Sequence, residues 1–270
     1  MTFADRVVRT LAEAGPLCVG VDPHDALLDR WGLPNTAAGV REFGLRTVEA
    51  VAGRAGILKP QVAFFERFGS AGYAALEATI AAGRAAGLLV IADGKRGDIG
   101  STVDAYGAAW LEPGSPLEAD AMTAYAYQGL GSLTDVLARA ARHGKGVIVV
   151  TAASNPEAAA TQGAVRADGR TVAAALVDDI RALPGTGGVV MGATVDLAAY
   201  GVTEESLGGV PILAPGFGAQ GAVAADLPRV FGASARQVIA SYSRSILGAG
   251  PSGIADAVGR TQDELREALA

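Results

Sequence analysis

Cysteine is nearly absent from this 270-residue chain. Cys18 is the only one, which excludes an internal disulfide and suits a reducing cytoplasm. Histidine is scarce too: with only His24 and His143, a multi-histidine metal centre within one chain is not expected. No apolar run approaches the roughly 18–20 residues that span a bilayer. The N-terminal stretch Met1-Thr2-Phe3-Ala4-Asp5-Arg6 lacks a basic segment leading into an apolar one, so no export signal is expected. A net charge of −6 without a basic cluster argues against a nucleic-acid surface. Half of the residues are apolar, enough for a sizeable core. Together these features predict a cytoplasmic enzyme with neither a membrane nor a nucleic-acid partner.

The shortage of lysine is the most informative. Of 22 Lys and Arg residues, only Lys59, Lys95 and Lys145 are lysines. Arg cannot usefully lose a proton, whereas Lys can hold, donate and recover one. A chain that meets its need for positive charge with Arg keeps Lys where an ammonium is required. Lys95 stands between two acids in Asp93-Gly94-Lys95-Arg96-Gly97-Asp98, directly after the apolar run at 88–92. That placement reads as catalytic equipment.

The apolar runs follow a regular order. Strands are predicted at 17–21, 56–60, 88–93, 119–123, 146–151, 188–191, 211–214 and 237–240. Several are β-branched and almost continuously apolar, as strands buried on both faces are. Segments with helical spacing lie between most of them, at 36–52, 70–86, 101–110, 132–142, 171–183 and 222–231, and Gly or Pro marks many joins. Eight strands alternating with helices predict an α/β fold, a (β/α)8 TIM barrel with a single domain over residues 1–270. A doubly wound open sheet is the rival, disfavoured because no Gly-x-Gly-x-x-Gly turn follows the first strand. Residues 155–170 read as a loop after the fifth strand, either a lid or a plain surface insertion.

Charged residues collect at predicted strand ends, where a barrel builds its active site. Asp22 follows the first strand, Lys59 lies late in the second, and Asp93 and Lys95 end the third. Residues i and i+2 of an extended chain project to one side, so Asp93 and Lys95 should point together. A structural ion pair is their alternative reading. Asp98 has a competing use as N-cap of the helix at 101–110, and Asp22 as a turn residue in Asp22-Pro23-His24. A second constellation is glycine-rich: Pro215-Gly216-Phe217-Gly218-Ala219-Gln220-Gly221 after strand seven, then Ser241-Tyr242-Ser243-Arg244-Ser245 after strand eight. Loops after these two strands are the recurrent phosphate site of such barrels, where glycine N–H groups approach phosphate oxygens and an Arg grips two of them. His24 reads as a neutral cap, Cys18 as core, and Tyr106, Trp110 and Tyr125 as helix packing.

At these residues the sequence resembles the orotidine 5′-phosphate decarboxylase family. That family's pattern Asp-x-Lys-x-x-Asp-Ile-x-x-Thr is met at every fixed position by Asp93-Gly94-Lys95-Arg96-Gly97-Asp98-Ile99-Gly100-Ser101-Thr102. The loop at 215–221 resembles the family's phosphate-gripping loop, and Ser154-Asn155-Pro156 sits where the family has a Ser near the pyrimidine. The correspondence runs from Asp22 to Arg244, and the chain's length and its spacing from Lys145 to Gly188 are similar to the longer bacterial branch. Ser243 departs from the pattern, standing where Gly often precedes the Arg.

The resemblance implies a homodimeric carboxy-lyase of pyrimidine biosynthesis. It would convert orotidine 5′-phosphate to uridine 5′-phosphate and CO2 with no metal or organic cofactor. Lys95 would protonate the ring carbon that loses CO2. Asp93 would lie beside the departing carboxylate, Lys59 between it and the ribose hydroxyls, and Asp98 would complete the charge array. Asp22 would bind a ribose hydroxyl and Ser154 the pyrimidine. Gln220 and Arg244 would hold the 5′-phosphate, with Pro215 and Ser243 in the loops around it. Ile99 and Thr102 would contact the nucleotide, and Asp98 and Thr102 would come from the partner subunit, so that each site is shared.

Two rivals are weaker. A Mg²⁺-dependent keto-sugar-phosphate decarboxylase or hexulose-phosphate aldolase of the same barrel group needs a carboxylate metal site, typically with a Glu after strand two. Here Glu66 comes late and Lys59 occupies the strand. A non-catalytic phosphoribosyl sensor gives no reason to keep Lys95 between two acids.

Overall fold

A strand whose side chains are apolar on both faces needs cover on both, and a closed barrel inside a ring of helices supplies it. The computed structural model, which describes residues 1–270, has this architecture. Its strands are β1 (Leu17–Val21), β2 (Ile57–Pro60), β3 (Leu89–Arg96), β4 (Ala121–Ala124), β5 (Gly146–Ala152), β6 (Gly187–Met191), β7 (Ile212–Pro215) and β8 (Val238–Tyr242). Each pairs in parallel with the next, and β8 pairs with β1, closing a single-domain (β/α)8 barrel. The open-sheet rival is excluded.

All eight expected strands are present, β1 with the expected ends and the other seven with shifted ones. The largest shift is in β3, which runs on to Arg96 because Arg96 rejoins the ladder opposite Ala124 after an irregularity beginning at Ala92. One helical expectation and one loop expectation change. The helix expected at 222–231 contracts to Asp226–Phe231, since Ala222 is held in the preceding loop by bonds to Gly216 and Gly218. The segment at 155–170, expected as a loop, contains a short helix at Ala158–Gln162 and a hydrogen bond from Arg166 N to the Arg170 carbonyl.

Alternation along the strands sorts residues into two cores. Side chains such as Leu17, Val19 and Leu58 face the surrounding helices. The inward set is smaller: Cys18, Ile57, Leu89, Ile91, Ala121, Ile148, Val150, Val190, Leu213 and Ile239 fill the barrel, and Phe3 and Val7 plug its lower end. Those two plugs come from the helix Phe3–Ala14, whose start is fixed by Thr2 and Asp5 capping each other's backbone N–H. Two residues further along the inward rows the chemistry changes. Ile57 is followed by Lys59, Ile91 by Asp93, Ala121 by Thr123 and Ile239 by Ser241, so the period-two geometry alone brings polar groups to the upper layer.

Lys145 belongs to the opposite end. It is 5% exposed, and its ammonium lies 2.9 Å from Glu118 and 3.7 Å from Asp120. Asp120 also accepts from Val90 N and from Arg6 of the N-terminal helix. Partial burial alone raises the Glu118 pKa, but Lys145, Gly114 N–H and Arg84 outweigh it and bring it down to about 2. Its stabilising contribution is therefore present above the ordinary carboxylate range and is lost as pH falls toward about 2. Removing one partner of a buried ion pair strands the other, so Lys145→Ala is expected to cost about 3 kcal/mol. Urea unfolding reads that loss; an unchanged midpoint contradicts it.

No helix is long and apolar enough to cross a membrane.

Candidate active site

The upper polar layer forms around one carboxylate. Asp93 is 6% exposed and receives Lys59 Nζ at 2.9 Å on Oδ2 and Lys95 Nζ at 2.7 Å on Oδ1. Burial alone raises the Asp93 pKa, but the two ammonium groups dominate and hold it well below the usual carboxylate range. For Lys59, burial pulls the pKa down, while Asp93 and Asp22 pull harder in the other direction and leave it raised. The result is a buried charge cluster that stays ionised. Directly beneath, burial pushes the Cys18 thiol up to about 12, so it remains protonated and serves as core.

Lys95 does not sit on an extended backbone. Its φ of 46° makes it the one non-glycine residue in the left-handed region, a conformation costing about 1 kcal/mol or more. Its ammonium still reaches Asp93, because the β3 irregularity turns it back toward the barrel axis. Such strain persists only where neighbours enforce it.

Asp22, just beyond β1, accepts from Ser243 Oγ at 2.6 Å, and its Oδ1 is buried without a protein partner. This contact explains Gly20, where a Cβ would come within 2.9 Å of Ser243 Cβ. Ser243, expected beside the phosphate loop, thus also orients Asp22. In the loop after β7, Gly216 and Gly218 have φ of 116° and 69°, and a Cβ on Gly218 would collide with Ser245. Phe217 anchors that loop by stacking on Tyr242, with ring centroids 5.2 Å apart. Ser154 donates to Gln220 Oε1 at 3.1 Å, linking the loops after β5 and β7.

These groups share one cavity of about 330 Å³. Of the residues expected from sequence, it brings together Asp22, Lys59, Asp93, Lys95, Ser154, Pro215, Gln220, Ser243 and Arg244. Asp98, Ile99 and Thr102 are not among its lining residues. Ile99 is 60% exposed and Thr102 is also exposed. The N-cap reading of Asp98 fails: Ile99 is the N-cap of the helix Gly100–Leu111, and Asp98 accepts only from its neighbour's N–H. His24 does occupy an N-cap position, of the helix Asp25–Arg30, but its ring makes no capping bond, and its buried Nε2 lacks a protein partner. Tyr125 is not helix packing; it is 45% exposed and lines the cavity, whereas Trp110 is buried. Glu66 is tied to Arg96 and Tyr73, and no group of three His, Cys, Asp or Glu side chains is placed to hold a metal ion.

Sequence reasoning missed two residues. Thr123 Oγ1 donates to Asp93 Oδ1 at 2.8 Å and accepts from Lys95 N at 2.9 Å. Gln61 lines the cavity and donates to the Asp93 carbonyl at 3.1 Å. Period-two spacing from Ala121 was the available signal for Thr123, and nothing marked Gln61.

A barrel with a glycine-rich loop at its C-terminal face and a Lys–Asp–Lys cluster in the same cavity has the make-up of an enzyme able to hold an anionic ligand at the one and to act by charge at the other. Comparison with known proteins narrows the class. The model of the family described as Orotidine 5′-phosphate decarboxylase / HUMPS matches residues 15–256, and the chain belongs to that family. Orotidine 5′-phosphate decarboxylase of Salinispora tropica is 50% identical over 278 residues, covering 99% of this chain and 98% of the relative. The Streptomyces coelicolor enzyme of the same name is 47% identical over 276 residues, with 99% and 98% covered. Among solved structures, a Streptomyces avermitilis protein with a provisional designation as this decarboxylase shares 46% identity at a TM-score of 0.93, covering 99% of this chain and 96% of its own. Leishmania donovani OMP decarboxylase shares 30% at 0.81, with both chains fully covered. The chain is accordingly an enzyme of the carboxy-lyase class.

Proposed function

We propose that the chain decarboxylates orotidine 5′-phosphate to uridine 5′-phosphate in pyrimidine biosynthesis, with Lys95 as the proton donor and without a metal or organic cofactor. The observation that carries this reading is Asp93 held between two ammonium groups in the cavity that also contains the Gly216–Gly218 loop and Arg244. The phosphate would bind at Gln220, Arg244 and the loop N–H groups. Asp22 would take a ribose hydroxyl on its unpartnered Oδ1, and Ser154 would face the pyrimidine.

In this pose the ring carboxylate meets Asp93 and Lys95. The bond from the ring carbon to the carboxylate breaks heterolytically, CO2 leaves, and the electron pair stays on the ring carbon. The Lys95 ammonium gives that carbon a proton and regains one from solvent. A localised carbanion gains much from a fixed ammonium, while a substrate whose charge lies elsewhere gains little, so the barrier falls more than the ground state. Lys59 supports the array by keeping Asp93 ionised beside the substrate carboxylate. Binding of the remote phosphate supplies energy for orientation.

Asp98, Ile99 and Thr102 fit the same reading if a second copy places them over the neighbouring cavity. They follow the cavity end of β3, where Ile99 and Thr102 are exposed and Asp98 is half-buried. The site would then be completed across a homodimer, with Asp98 of one protomer joining Lys95 of the other.

The test follows the ultraviolet absorbance of orotidine 5′-phosphate with purified protein in EDTA. Turnover in EDTA is expected. Absence of turnover sinks the reading, and turnover that only EDTA abolishes favours a metal-dependent member of the barrel group.

A further inference from the structure

We propose that Thr123 is a positioning residue that sets the geometry of the Lys95 ammonium against Asp93. This inference rests on the decarboxylase reading above and deepens it.

Thr123 is 1% exposed, at the level where the inward face of β4 passes from apolar to polar. Its hydroxyl has one proton and two lone pairs. The proton goes to Asp93 Oδ1 at 2.8 Å, the same oxygen that receives Lys95 Nζ at 2.7 Å. A lone pair accepts the Lys95 N–H at 2.9 Å. A single side chain therefore grips both the carboxylate and the backbone of the lysine paired with it.

The backbone bond matters because of where it falls. The β3–β4 register is interrupted between Ala92 and Arg96, so the Lys95 amide is served by a side chain in place of the regular ladder. Lys95 is also the residue with φ of 46°. An amide in a strained conformation and without a partner relaxes, and the ammonium moves with it. Gln61 holds the Asp93 carbonyl from the other side at 3.1 Å, so Asp93 keeps its place when Thr123 is changed. The expected failure is thus a misplaced Lys95 and not a collapsed site.

Valine replaces the hydroxyl with a methyl of similar size and removes both bonds; serine keeps both. Displacement of a catalytic group by about 1 Å can cost up to about 10²-fold in rate. Thr123→Val is expected to lower kcat by about 10- to 100-fold. KM, and the Kd for uridine 5′-phosphate, should stay within about three-fold, because phosphate and ribose contacts lie elsewhere in the cavity. Thr123→Ser should recover most of the lost kcat. Thermal melting and product binding identify folded protein, and Thr123→Ala carries the same comparison if the valine variant does not fold. Wild-type kcat in folded Thr123→Val or Thr123→Ala overturns the proposal. So does a serine variant as slow as the valine one, or a loss confined to KM and melting temperature. A wild-type protein that fails to turn over orotidine 5′-phosphate is a different result: it sinks the underlying reading.

Discussion

Lys95→Ala is expected to lower turnover of orotidine 5′-phosphate by at least about 10³-fold, because it removes both a proton donor and a fixed positive charge at the reacting carbon. Binding of uridine 5′-phosphate should survive within about ten-fold, since Asp22, Ser154, Gln220 and Arg244 are untouched and only the charge-developing step needs the ammonium. The variant should also fold. Asp93 keeps Lys59 at 2.9 Å and Thr123 at 2.8 Å, so its buried charge remains compensated. Stopped assays for turnover and calorimetry for binding separate the two effects. Retained turnover refutes the proton-donor assignment, and lost binding shows that Lys95 acts earlier than proposed.

The second large effect concerns Asp98. If the proposed homodimer shares its sites, Asp98→Ala protein is expected to be nearly inactive although Asp98 lies outside the cavity of its own chain. Mixing it with inactive Lys95→Ala homodimers should restore activity. After subunit exchange half of the dimers are mixed, and each holds one site with both residues intact, so recovery approaches about a quarter of the wild-type value. Exchange is followed independently by mass-tagged subunits. Proven exchange without recovery contradicts the shared site, and Asp98→Ala homodimers of normal activity remove Asp98 from the array.

Much of this was legible in the chain. Apolar runs such as Leu-Cys-Val-Gly-Val at 17–21, alternating with helices, narrow the fold to a parallel sheet covered on both faces, and the pairing of β8 with β1 closes it as a barrel. Asp93 and Lys95 at the start of the 93–102 run and the loop at 215–221 both line the cavity, whereas Asp98, Ile99 and Thr102 do not. Of the three rare lysines, Lys59 and Lys95 line the cavity, whereas Lys145 lies at the opposite end of the barrel with Glu118 and Asp120. A count of residues cannot tell an ammonium at one end of the barrel from one in the cavity; position along the strand does.

The missed residues share a cause. Thr123, Gln61 and the Ser243–Asp22 contact are short or neutral side chains whose roles depend on register between strands far apart in sequence. The turn of Lys95 out of the extended conformation follows from the irregularity between β3 and β4, which a single-chain pattern does not encode. Asp98 shows the opposite case. Its motif spacing was plain, yet within one chain the residue only accepts its neighbour's N–H. The proposed role for it rests on a second chain.

The central claim is that Lys95 delivers a proton, beyond supplying charge. Lys95→Arg separates the two, because arginine keeps the positive charge and cannot usefully give up a proton. Turnover of orotidine 5′-phosphate is measured in EDTA on arginine-variant protein confirmed to bind uridine 5′-phosphate. The account predicts a loss approaching that of Lys95→Ala; turnover near the wild-type rate would contradict it.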